Sequence, residues 1–266
     1  MPEPLVTYEL DGDVTRLGLN RDDMRNAING ALLDSRKECV LRATEEARAA
    51  VIFSHGENHF SAGLDLAEAQ ARRADGSTPT RRPRSKWHTT FDLISRGEIP
   101  FVSALKGACI GGGLELASAT HVRVADETTI FALPEGQRGI FVGGGGSVNI
   151  QRLLGYARMA DLMLTGRVLS AAEGERMNLC QYVVPAGESF AKAKELAHKI
   201  ATNAPLTNWA ICSVLPRVGD LSHDDGLAIE SLIGASVRSP EGASRIGAFL
   251  EGRAAPIVAP GSEGAR

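Results

Sequence analysis

The sequence predicts an α/β core followed by a helical C-terminal region. Apolar runs of strand length alternate with stretches of helical periodicity up to about residue 147, and beyond it nearly every segment reads as helix. Glycine is also in excess, at 29 of 266 residues, and many of these glycines fall in short segments between the elements. Taken in order, residues 5–19 alternate around Asp11-Gly12-Asp13, the pattern of a β-hairpin. Residues 29–49 place Leu32, Leu33, Val40, Leu41 and Ala47 at helical spacing with charges between them. A short apolar strand at 49–53 runs into the loop 54–59. Residues 72–86 carry Arg72, Arg73, Arg81, Arg82, Arg84 and Lys86 and are broken by Gly76, Pro79 and Pro83, which predicts a mobile surface loop.

A helix is expected at 85–95, then a buried strand at 101–105, a helix from Gly112, strands near 121–125 and 129–131, and a glycine loop at 143–146. Helices follow at 147–154 (capped by Ser147), 156–164, 170–177, 187–202, 205–216, 223–236 and 240–251, interrupted by one strand at 181–184. The expected organisation is a core at 1–195, a helical subdomain at 196–254 and a flexible tail at 255–266 rich in Ala, Pro and Gly.

Composition excludes several classes. With 43% hydrophobic and 23% charged residues the chain is not disordered, and a net charge of −3 opposes nucleic-acid binding by bulk charge. No apolar run approaches the ~18 residues of a membrane span, and the acidic N-terminus lacks the apolar stretch of a signal peptide. Cys39, Cys109, Cys180 and Cys212 lie far apart without CxxC spacing, as expected of reduced thiols in a cytoplasmic protein with no zinc site. The six histidines have no metal-ligand spacing, and no GxSxG nucleophile motif is present.

Three pieces carry chemistry. Phe60-Ser61-Ala62-Gly63-Leu64-Asp65-Leu66 follows a strand and loop; its small residues let backbone approach a ligand before a helix begins. Lys106 to Ala117 reads as strand, glycine turn (Gly111-Gly112-Gly113) and helix, a second set of N–H donors at a positive helix end. Facing each other, two such sites make an oxyanion hole; taken singly, the glycines equally suit tight packing. The glycine run lacks the ending of a P-loop and the pattern of a dinucleotide fingerprint. The third piece is the pair Glu115 and Glu135, each beside apolar residues; two carboxylates in one apolar pocket have pKa values pushed apart, giving one acid and one base. Spacing alone also allows each to be an exposed surface Glu.

In this order, FSAGLDL at 60–66, KGACIGGGLELA at 106–117, FALPEGQRGIFVGGGGS at 131–147, RLLG at 152–155 and LTGRVLSAAEGERMNL at 164–179 resemble the crotonase (enoyl-CoA hydratase/isomerase) family over roughly residues 5–253. The resemblance implies a crotonase-like spiral of ββα units with a helical C-terminal trimerisation region, assembled as a homotrimer or a dimer of trimers. It implies an acyl-CoA substrate, with no metal, redox cofactor, nucleic acid or membrane partner. It assigns the thioester oxygen to the N–H groups of Leu64 and Gly112, and water addition across the 2,3-double bond to Glu115 and Glu135. Having both glutamates selects hydratase; isomerases, decarboxylases and hydrolases of the family usually change one, and a non-catalytic acyl-CoA-binding or RNA-binding homologue is a further alternative. By the same resemblance Arg25, Ala27, Ser61, Ala62, Asp65, Leu66, Trp87, Phe91, Gly111, Phe131, Leu133, Gly143, Phe249 and Arg253 contact substrate or CoA. Of these, Trp87, Phe91, Phe131 and Leu133, together with Phe141, would line one apolar acyl tunnel. Asp22, Gln137-Arg138 and Val142 depart from the family pattern, and the basic cluster after the last helix is thinned to Arg253.

Overall fold

A computed structural model describes residues 3–74, 85–238 and 240–253. The expected hairpin forms from Val6–Asp11 (β1) and Val14–Leu19 (β2), paired antiparallel from Val6↔Leu19 to Asp11↔Val14. Asn29 caps Gly30–Glu46 (α1), its side chain accepting the Leu32 N–H at 2.8 Å.

Three turns of one motif follow, each made of two strands and then helix. Ala49–Ser54 (β3) and His59–Ser61 (β4) lead to Leu66–Ala74 (α2) and Lys86–Ser95 (α3). Phe101–Leu105 (β5) and Ala108–Ile110 (β6) lead to Gly112–Ala119 (α4), and Val122–Asp126 (β7) and Ile130–Ala132 (β8) lead to Gly146–Leu154 (α5). In each turn the first strand joins one sheet and the second strand joins another, which is the ββα spiral. Then come Tyr156–Thr165 (α6), Val168–Ser170 (β9), Ala171–Arg176 (α7), Tyr182–Val184 (β10), Ser189–Ala201 (α8) and Pro205–Trp209 (α9). Among the described residues the larger sheet has the order β1-β2-β3-β5-β7-β10, parallel from β2 onward, and the smaller one β4-β6-β8-β9.

Alternate residues of the larger sheet feed two cores. Leu17, Leu19, Ala50, Ile52, Phe101 and Leu105 pack with α1, α3 and α4, while Val14, Ala49, Val51, Val102, Ala104 and Val124 meet Ala193, Ala197 and Ala201 of α8. Burial on both faces explains why β3 reads as an unbroken apolar run and β5 as one interrupted only by Ser103.

The chain divides into two compact units, residues 1–213 and 214–266. The boundary expected at 195/196 would cut α8, whose alanines at four-residue spacing seal one face of the sheet. The second unit contains Leu215–Val218 (α10), His223–Ser236 (α11) and Pro240–Leu250 (α12), with Leu227, Leu232, Ile246 and Leu250 exposed on it. The tail 255–266 and the segment 75–84 lie outside the described residues. No helix among the described residues is long and apolar enough to cross a membrane.

Three features differ from expectation. The smaller sheet uses three-residue strands, too short to show a period, so β4, β6 and β9 escape pattern reading. The basic stretch is helical through Ala74 as the end of α2. Helix α5 starts at Gly146 behind Gly145, and Ser147 sits inside its first turn instead of capping it.

Candidate active site

Backbone geometry brings Leu64 and Gly112 together. Leu64 forms a parallel bridge with Ile28: the Ile28 N–H donates to Gly63 O at 2.7 Å and the Asp65 N–H to Ile28 O at 3.0 Å. In that pattern the N–H of Leu64 itself points away from Ile28. Gly112 is the first residue of α4, where an N–H has no intrahelical acceptor. A Cβ on Gly112 would lie 3.4 Å from the Leu64 nitrogen, and one on Gly63 would lie 2.9 Å from the Gly112 nitrogen. Gly63 has φ +86°, and Cβ atoms on Gly112 and Gly113 would strike Trp87 and the Ser61 carbonyl. The tight packing at these glycines therefore also sets the Leu64 and Gly112 nitrogens close together.

The loop preceding Leu64 is held from beneath. Asn26 O accepts from Ser61 Oγ at 2.8 Å, and Ser61 Oγ in turn accepts from the Gly63 N–H at 3.1 Å. Asp65 pairs with Arg21 at 2.7 Å and caps α2 by accepting the Glu68 N–H. Those two contacts, the helix N–H first, hold its carboxyl below the usual range. Arg25 and Asn26 take positive φ angles of 54° and 52° to make this buckle. The side chains of Ser61 and Asp65 are thus occupied by protein partners, and what they do is position backbone. Arg25 and Leu66 are exposed, and Ala27 and Ala62 are half-buried.

Both glutamates lie close to the start of α4, Glu115 within its first turn and Glu135 over Gly111. Glu115, in the first turn of α4, is 3% exposed; its Oε1 accepts N–H bonds from Gly144 at 2.7 Å and Gly146 at 2.9 Å, and its Oε2 a longer one from Gly143 at 3.4 Å. Burial raises its pKa, while those backbone donors and the nearby His88 counteract the rise. Glu135 is 4% exposed, and its Oε1 would lie 3.0 Å from a Cβ on Gly111. Its Oε2 is buried with no hydrogen-bond partner among the described residues. Burial first, and the charge of Glu115 as a lesser cause, push its pKa up to about 7. Both carboxyls are pushed up, but Glu115 is the better hydrogen-bonded one, and Glu135, without such donors, holds a proton for part of the time near neutrality.

A consequence for stability follows from the sign of that shift. A carboxyl whose folded pKa is raised stabilises the fold below its unfolded pKa and loses that contribution as pH rises toward about 7. Glu135→Gln is expected to melt like the native protein at pH near 4 and above it at pH near 8. Thermal scans across that range check it; a melting difference independent of pH contradicts the assignment.

Trp87 and Phe91 of α3 close the site. Trp87 lies against Gly112, and Phe91 meets it edge-on at 5.5 Å and 71° while resting against Gly144, where a Cβ would come within 2.7 Å of the ring. A cavity of about 240 Å³ opens beside them, bounded by Gly30, Leu33, Leu64 and Trp87 among others. A larger cavity of about 600 Å³, near Phe53, Lys106 and Asp126, contains none of the expected site residues.

The structure does not bring every expected residue here. Phe131 is a core side chain, with its ring against Gly174 of α7, and Leu133 is buried in the same core. Phe141 is 71% exposed. Strand alternation in the three-residue β8 turns Phe131 toward α7; Phe141 lies outside any strand, in the segment after Gly136–Arg138. Phe249 and Arg253 belong to the second unit, where both are exposed and Arg253 pairs with Glu251. Gly144 and Gly146, which hold Glu115, were not expected; the only signal for them was the glycine run ahead of a helix. No group of metal-ligating side chains occurs among the described residues.

Comparison with known proteins gives the family. The sequence profile of the family Enoyl-CoA hydratase/isomerase matches residues 9–254. Enoyl-CoA hydratase EchA19 of Mycobacterium tuberculosis is 30% identical over 241 residues, covering 89% of this chain and 88% of its own. A crystal structure from Rhodopseudomonas palustris CGA009, provisionally named an enoyl-CoA hydratase, is 44% identical with a TM-score of 0.84, covering 94% of this chain and 96% of its own. The enoyl-CoA hydratase structure from Bacillus anthracis is 28% identical with a TM-score of 0.84, covering 94% and 97%.

Proposed function

This chain belongs to the enoyl-CoA hydratase/isomerase family, and from that premise we propose that it adds water across the 2,3-double bond of 2-enoyl-CoA thioesters. The observation that carries the proposal is the pair of buried carboxylates near the start of α4, where the Leu64 and Gly112 nitrogens come close together. Attack of water at C3 sends negative charge to the thioester oxygen, and the N–H groups of Leu64 and Gly112 stabilise it there. Donors of this kind contribute about 3 kcal/mol each. Glu115, ionised on its bed of backbone donors, takes the proton that water loses. Glu135, protonated near neutrality, gives its proton to C2. Proton transfer by positioned groups supplies about 10²–10⁴ in rate. Acid–base transfer and an oxyanion site suffice for hydration, so neither metal nor redox cofactor is invoked.

Because Glu135 must hold its proton, turnover is expected to fall as pH rises above about 7. Loss of enoyl absorbance from crotonyl-CoA tests the activity directly. Trp87 against Gly112 narrows the space beside C3, so 3-methylcrotonyl-CoA is expected to be the poorer substrate by about tenfold or more in kcat/KM. Trp87→Ala should narrow that ratio. A branched thioester that outperforms crotonyl-CoA, or a ratio untouched by Trp87→Ala, contradicts the pocket assignment.

A further inference from the structure

Arg36 occupies a core position on α1 and is 1% exposed. Both Nη1 and Nη2 are buried and find no acceptor among the described residues. Its guanidinium stands 5.8 Å from the centroid of the Phe91 ring. Burial pulls its pKa down to about 9, with the Cys39 thiol as the one opposing influence, so it remains a cation at neutral pH. Enclosing a guanidinium without a carboxylate costs far more than a cation–π contact returns, and an apolar side chain would stabilise such a site better. Five N–H donors and no acceptor point to an anion that comes from outside the chain.

The position of Arg36 says where that anion would arrive. Gly30 and Leu33 of α1 line the cavity shared with Leu64 and Trp87, and Arg36 lies behind that lining, three residues beyond Leu33 on the same helix. Phe91, the ring beside Arg36, is the one that rests against Gly144, whose N–H holds Glu115. Between this cation and Glu115 stand the Phe91 ring and Gly144.

Resting on the hydratase reading, we propose that Arg36 selects 2-enoyl-CoA thioesters whose acyl chain ends in a second carboxylate, and pairs with that carboxylate once the Phe91 ring turns aside. The substrate class is the mono-CoA thioesters of unsaturated dicarboxylic acids. Nη1 and Nη2 form a planar fork that matches a carboxylate in a two-bond pairing. Chain length would select as well, because the carboxylate has to reach past Trp87 and Phe91.

Binding and turnover measured side by side test this. Calorimetry would compare adipoyl-, suberoyl- and sebacoyl-CoA with hexanoyl-, octanoyl- and decanoyl-CoA, on the native protein, Arg36→Met and Arg36→Lys. The native protein is expected to bind one dicarboxyl thioester about tenfold or more tightly than its uncharged counterpart, equivalent to ~1.4 kcal/mol. Arg36→Met should erase that preference and melt no lower than native, and Arg36→Lys should keep part of it. The kcat/KM ratio of 2-hexenedioyl-CoA to 2-hexenoyl-CoA, or of the longer homologues, should follow the binding. If no thioester is hydrated but the binding preference and its loss in Arg36→Met persist, the hydratase reading falls and the carboxylate subsite stands. If the native protein binds the uncharged thioesters equally or better at every length, or Arg36→Met keeps the preference, the role of Arg36 is overturned; the native comparison holds even where a variant does not fold.

Discussion

Glu135→Gln is expected to lower crotonyl-CoA hydration by about 10² or more while leaving thioester affinity within a few-fold of native. An amide keeps the shape of the side chain but cannot give C2 the proton that a carboxyl with a pKa near 7 holds. Glu115→Gln should cost as much activity and, unlike Glu135→Gln, also stability. Its new amide N–H₂ can face the donors of Gly144 and Gly146, leaving buried donors without an acceptor at about 1–3 kcal/mol. Steady-state kinetics with binding of a saturated thioester, plus denaturant melts, separate the two variants. Either variant retaining more than about a tenth of native turnover rejects that glutamate as a proton-transfer group.

The second large effect is expected from Gly63→Ala. A methyl group there would lie 2.6 Å from the Ile110 carbonyl oxygen and 2.9 Å from the Gly112 nitrogen, both backbone atoms. The φ of +86° adds strain for any L side chain, of order 1–3 kcal/mol. Relief requires β6 and the start of α4 to move away from Leu64, which pulls the two N–H donors apart. Turnover should drop by about 10² or more, the loss typical of an oxyanion donor, with a lowered denaturation midpoint. A variant of native activity would mean that the Leu64–Gly112 pair does not hold the thioester oxygen.

How much of this was legible in the sequence depends on whether a feature resides in side chains. Glu115 and Glu135 stand out as charges among apolar residues, and the glycines before them mark where donors gather. The strands β3 and β5 of the larger sheet are readable because short, almost wholly apolar runs leave few other choices, and β1–β2 because their alternation brackets an Asp-Gly-Asp turn. In the smaller sheet only β8 is readable, and β4, β6 and β9 are not, since three residues carry no period. Gly144 and Gly146 act through backbone N–H groups, and a glycine run looks the same whether it turns the chain or solvates a carboxylate. Phe131 is the clearest misassignment: its neighbours in sequence belong to the site motif, yet strand alternation turns the ring onto Gly174. Arg36 is the converse case. In sequence it is one charged residue among others on an amphipathic helix, and only the packing of α1 against α3 shows it buried beside Phe91.

The most direct test of water addition by the two glutamates is product analysis in labelled water. Crotonyl-CoA incubated with the purified protein in water enriched in heavy oxygen and deuterium is expected to give 3-hydroxybutyryl-CoA with solvent oxygen at C3 and one solvent deuterium at C2. The same incubation with Glu135→Gln should give almost none. Unchanged crotonyl-CoA, or a thioester with a displaced double bond and no added oxygen, would contradict the assignment of hydration to this site.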